Sequence, residues 1–111
     1  MPSIRMPRFL LTGMLAVSLL GMPGTLWAQQ DGAQLFATKT CLACHGKDAK
    51  TPLLPDYPRL AGQMKDYLFR QMVDIKSGAR SNGNTAAMKG VMPLVNEEEM
   101  LAIAVWLATL K

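Results

Sequence analysis

The first long apolar run of the chain, Phe9 to Met22, is continuous rather than periodic; it follows Arg5 and Arg8 and gives way to "GTLWA". Beyond it the pattern breaks into segments. "DGAQLFATKT" reads as a short helix with Asp31 as its cap and Leu35 and Phe36 as its apolar face. Pro52, Pro55 and Pro58 then fall within seven residues, which forbids regular helix and predicts an extended loop. From Leu60 onward, Leu60, Met64, Tyr67, Leu68, Met72 and Ile75 recur at helical spacing, with Gly78 placed as the stop. "GARSNGNT" is a polar loop. The last segment carries the fullest start signal. Asn96 can cap it, Glu99 stands at the capping-box position, Glu97 to Glu99 oppose the positive end of the helix dipole, and Val95 and Met100 can staple it. "MLAIAVWLATL" completes a largely buried helix. No segment alternates with period two, so the expected fold class is all-α.

The opening 28 residues match a secretory signal: a charged start, an apolar run of about 14 residues and a small-residue exit at Ala28. That run is shorter than the roughly 20 residues a spanning helix needs, so cleavage and no stable membrane insertion are expected. An uncleaved anchor is the competing reading, sustained by Leu26 near the cut. Residues 29–111 would then form one domain of 83 residues. At that size an apolar core alone supplies about 3–5 kcal/mol, and small domains commonly add a staple or a prosthetic group. The full chain carries +4 and the exported part +2. This weak charge, with no basic run, argues against nucleic acid as a partner.

Candidate chemistry is concentrated in "TKTCLACHGKD". Cys41, Cys44 and His45 are the only cysteines and the only histidine in the chain. A structural zinc site wants four such ligands and only three exist. A thioredoxin-like pair normally follows a strand, which is not expected here. A Cys41–Cys44 disulfide would close a very small loop and leave His45 unexplained. The C-x-x-C-H spacing is that of covalent haem attachment: Cys41 and Cys44 add as thioethers to the two haem vinyl groups, and His45 lies under the iron as proximal ligand. One haem c is the expected cofactor.

With no second histidine, a methionine thioether is the next common axial ligand, and it raises the reduction potential. Nine methionines are present, of which Met1, Met6, Met14 and Met22 precede Ala28. Met64, Met72 and Met100 read as core filling on helices. Met88 and Met92 fall in the expected loop. Met92 lies four residues before Asn96, whereas Met88 has twice that reach; Met88 is the expected distal ligand and Met92 the alternative.

With these residues in place, the chain resembles the class I cytochromes c, and within them a single haem domain of the c4 and c553 group. The resemblance rests on "DGAQLF", "CLACHG", "PDYPRLAGQMKDYLFRQMVDIKSG" and "MKGVMPLVNEEEMLAIAVWLATL". It implies the small class I fold of helices wrapped around one haem, with Gly32, Phe36 and Trp106 at the crossing of the first and last helices. It also implies a proline carbonyl bonded to the proximal histidine, by position Pro52, and an axial methionine at Met88. Proteins of the c4 kind carry two haem domains, so this chain is expected to be a monohaem relative. The implied function is that of a periplasmic one-electron carrier, not an enzyme, between respiratory or dehydrogenase donors and a terminal acceptor. Lys39, Lys47, Lys50 and Lys89 flank the ligand segments as candidates for docking redox protein partners. A dedicated haem subunit of a periplasmic dehydrogenase is the alternative, and a haem-based ligand sensor a further one.

Overall fold

The computed structural model describes residues 30–111, together with the isolated positions 2–4, 13 and 21. The expected signal peptide lies outside the described residues apart from those positions. The described chain forms five α-helices: α1 (Gly32–Thr38), α2 (Cys41–His45), α3 (Lys65–Ser77), α4 (Thr85–Val91) and α5 (Glu97–Thr109), with a 3-10 turn at Met92–Leu94. No strand occurs among the described residues, in agreement with the all-α expectation.

Local chemistry sets the helix ends. The Asp31 carboxylate accepts the N–H groups of Ala33 at 3.0 Å and Gln34 at 3.3 Å, starting α1. At α5 the capping box is complete: Glu99 N–H donates to Asn96 Oδ1 at 2.9 Å and Asn96 N–H donates to Glu99 Oε1 at 3.1 Å. Gly78 closes α3 in the left-handed region at φ +87°, where a side chain would be strained.

Helix α1 crosses α5, and α3 packs on another part of α5. The first crossing is close. A Cβ at Gly32 would collide with the Ala102 carbonyl and with Cβ of Trp106, so only glycine lets the two backbones approach. The Phe36 and Trp106 rings meet there with centroids 5.2 Å apart and planes inclined at 52°. Phe36, Leu68, Ile75, Val95, Met100, Ile103, Ala104 and Leu107 form the core, so α1, α3 and α5 all contribute to it. The outer face of α5 differs from expectation: Leu101 and Val105 are exposed.

Two other expectations fail on α3 and α4. Leu60 and Met64 do not extend α3. Gly62, in the left-handed region at φ +78°, interrupts the helix, and its N–H donates to the Leu107 carbonyl at 2.9 Å instead. Met64 caps the helix and is 69% exposed, so it is not core filling. Met88 and Met92 lie not in a loop but on α4 and the 3-10 turn that follows.

Candidate haem site

Thr40 enters α2 with a positive φ of +69°, and Gly46 leaves it at +85°. Between them one short turn presents Cys41, Cys44 and His45. The chain then folds back over its own start. The Asp48 carboxylate accepts the N–H groups of Lys50 at 2.8 Å and Thr51 at 2.9 Å and the Thr51 hydroxyl at 3.1 Å, which holds it below the usual carboxylate range. The fully buried Ala49 accepts the N–H groups of Leu60 at 2.9 Å and Ala61 at 3.2 Å through its carbonyl. The last three residues of "YPRLAG" are therefore pinned, Leu60 and Ala61 to the turn after α2 and Gly62 to α5.

This pinning selects the partner of His45. The imidazole is 5% exposed, and its Nδ1 lies 2.9 Å from the Pro58 carbonyl. A carbonyl only accepts, so the proton sits on Nδ1 and the Nε2 lone pair is left for a metal. The expectation of Pro52 is thereby corrected to Pro58. Leu53 N–H donates to the Cys44 carbonyl at 2.9 Å. In a trans peptide the preceding carbonyl points the other way, so the Pro52 oxygen is turned away from α2.

Cys41, Cys44, His45, Met72, Met88 and Met92 all line one cavity of about 400 Å³, whose wall is mainly apolar. Both thiols are free and half-buried, and burial pushes the Cys41 thiol up from its ordinary value. Met92 is 2% exposed and belongs to the core, whereas Met88 is only half-buried on the cavity wall. Burial rather than tether length separates the two. Two free thiols and an imidazole with an unbonded Nε2, on the wall of an apolar cavity, are the donor set that a covalently held haem requires.

The candidate docking lysines do not form one set. Lys39 is tied down, its Nζ 3.0 Å from Glu99 Oε2. Lys47 and Lys89 are exposed and Lys50 half-exposed. Glu99 is held below its ordinary value of 4.5, first by the Asn96 N–H, then by Lys39, with Lys76 contributing. A depressed folded-state value adds stability that is present above the unfolded value and lost as pH falls through the folded one. Glu99→Gln is therefore expected to lower the urea midpoint at neutral pH and to flatten its decline below about pH 4.5. Parallel urea titrations of parent and variant check this; equal acid slopes would contradict it.

Among the described residues no helix is long and apolar enough to cross a membrane. The family model described as Cytochrome c matches residues 29–111. Cytochrome c4 of Pseudomonas aeruginosa is 39% identical over 101 residues, covering 87% of this chain and 48% of that protein. A thiosulfate dehydrogenase electron acceptor of Stutzerimonas stutzeri is 34% identical over 97 residues, covering 78% of this chain and 44% of its own length. Cytochrome c-554(548) of Halomonas halodenitrificans is 37% identical over 67 residues, 60% of this chain and 80% of that protein. The chain thus spans about half the length of its c4 and acceptor relatives.

Proposed function

Because the chain belongs to the cytochrome c family and carries one covalently bound haem c, we propose that it is a periplasmic one-electron carrier. Cys41 and Cys44 hold the haem as thioethers, His45 is the proximal iron ligand and Met88 the distal one. The observation that carries this reading is the placement of both thiols, the imidazole and the Met88 thioether on the wall of one apolar cavity. Bound there, haem supplies a one-electron ferric/ferrous couple. The protein's own residues set its working conditions. Pro58 orients His45 and fixes its tautomer. A thioether from Met88 would favour the ferrous state and leave no open position for a substrate, which suits a carrier rather than an enzyme. The apolar wall of Leu68, Ile75, Ile103 and Leu107 excludes water and keeps the dielectric low.

Residues 29–111 form the exported domain in this reading, supported by the span of the family match. The relatives named as acceptors of a dehydrogenase support an enzyme as electron donor. Partners meet the carrier at a small, partly electrostatic contact, as weak redox encounters do. Lys47, Lys50 and Lys89 supply its positive charge, while Lys39 is engaged by Glu99.

Electron exchange with ferricyanide, an anionic oxidant, tests the docking charge. Its second-order rate is expected to fall as ionic strength rises, and Lys47→Gln/Lys50→Gln/Lys89→Gln should slow it at low salt and flatten the dependence. A rate that ignores salt in the parent protein would remove the lysine patch. Co-purification at fixed stoichiometry with one dehydrogenase, surviving high salt, would replace the free carrier by a bound subunit.

A further inference from the structure

The segment that carries Met88, residues 79–95, leaves the end of α3 and returns to it. Its near end is held by backbone bonds: Gly78 N–H donates to the Ile75 carbonyl at 3.2 Å and Arg80 N–H to the Asp74 carbonyl at 3.0 Å. Its far end is held by a side chain. Lys76 Nζ donates to the Val95 carbonyl at 2.5 Å, and among the described residues this is the one hydrogen bond between α3 and residues 85–95. Val95 is 1% exposed and extended, and it joins the 3-10 turn to the Asn96 cap of α5. Its carbonyl has no other donor among the described residues, so the lysine satisfies a buried acceptor. Lys76 itself stands on the exposed last turn of α3, near Glu99, whose carboxylate it stabilises from beyond ion-pair contact.

We propose, on the ligand reading above, that Lys76 is a positioning residue for Met88: it latches the far end of the 79–95 segment to α3 and so sets how readily the distal position opens to an outside ligand. Helix α4 and the 3-10 turn both pack on α3, so a thioether on α4 keeps its place only while the segment stays on that helix. The segment has the marks of a unit that opens locally. Helix α4 has seven residues, and Ala86, Ala87, Lys89 and Gly90 are exposed on it. A bond from a charged donor is stronger than one between neutral groups, and its loss leaves the Val95 carbonyl unpaired. Without the latch the open form gains population. An outside ligand binds that form alone, so its apparent affinity follows the open fraction.

Titration of the ferric holoprotein with imidazole at neutral pH tests this, with loss of the red charge-transfer band as the readout. Lys76→Met keeps the apolar stem and removes the donor. It is expected to bind imidazole about tenfold more tightly than the parent, the scale of one charge-assisted hydrogen bond. Lys76→Arg, which keeps a donor, should restore most of the parent affinity. Met88→Ala sets the limit of a fully open position. Equal affinity in the parent and Met88→Ala would overturn the ligand reading and the latch with it, whereas a weaker parent matched by Lys76→Met would overturn the latch alone. Two controls separate the latch from charge and from general stability. Lys65→Gln removes an exposed charge at the other end of α3, and Asp31→Ala removes the cap of α1, which packs on neither α4 nor the 3-10 turn. Asp31→Ala should lower the urea midpoint, and both should leave imidazole binding unchanged. Tightening in either control to the level of Lys76→Met would overturn the proposal. Should Lys76→Met fail to fold, Lys76→Gln decides by the same comparison, and an affinity equal to the parent's would overturn it.

Discussion

Met88→Ala is expected to abolish the weak red charge-transfer band of thioether-bound ferric haem. It should also lower the reduction potential on the order of 100 mV or more, within the roughly 0.8 V that axial ligands span. Met88 lines the cavity and is only half-buried, packed at the edge of the core on α4. Met92, one helical turn on, is 2% exposed and packs in the core. Met92→Ala should therefore keep the band and the potential but cost about 2–5 kcal/mol of stability, the usual effect of emptying a buried methionine site. Spectra, redox titrations and urea titrations of both variants check the assignment. Interchanged phenotypes would move the ligand to Met92.

Replacing both thiols, Cys41→Ser/Cys44→Ser, is expected to remove all haem that resists acidified acetone and most of the native structure. The cavity of about 400 Å³ lies between the core residues of α1, α3 and α5 and the site turn, and its wall includes Phe36, Leu68, Ile75, Ile103 and Leu107. Without the covalent group those side chains face an empty interior in a domain whose apolar core supplies only about 3–5 kcal/mol. Either single substitution leaves one thioether and should lower the yield of holoprotein rather than abolish it. Haem staining after denaturing electrophoresis and far-ultraviolet circular dichroism report the two losses. A double variant that retained acid-stable haem would contradict the attachment.

Features governed by neighbours along the chain were legible in the amino-acid sequence. The caps at Asp31 and Asn96, the box closed by Glu99 and the stop at Gly78 involve groups within a few residues of one another, and each forms. The crossing of Gly32 and Phe36 with Trp106 was legible through family resemblance. Features governed by long-range backbone pairing were not. Leu60 and Met64 keep helical spacing with the residues after them, but the bonds from Leu60 and Ala61 to Ala49 and from Gly62 to Leu107 claim that segment for other work. Met88 lies on α4, which has only seven residues after a polar Gly/Asn-rich loop and so shows no helical period in the sequence; that helix packs on α3. Three closely spaced prolines offered carbonyls to His45, and the bond from Leu53 to Cys44 turns the Pro52 carbonyl away. The signal that could have found Pro58 was its position in "YPRLAG", two residues before Leu60, where the segment is tied back to the turn after α2. The pairing of Lys39 with Glu99 likewise exists only once α1 lies across α5.

The optical spectrum of the reduced holoprotein under carbon monoxide tests the central claim, a haem closed on both faces and dedicated to carrying electrons. In the proposed ligand set a Met88 thioether held on α4 would act at high effective concentration, and an incoming gas would first have to displace it. The spectrum at neutral pH is therefore expected to stay unchanged under carbon monoxide for the unmodified protein and to shift promptly for Met88→Ala. Rapid, stoichiometric binding by the unmodified protein would contradict the account and assign the haem to ligand sensing instead.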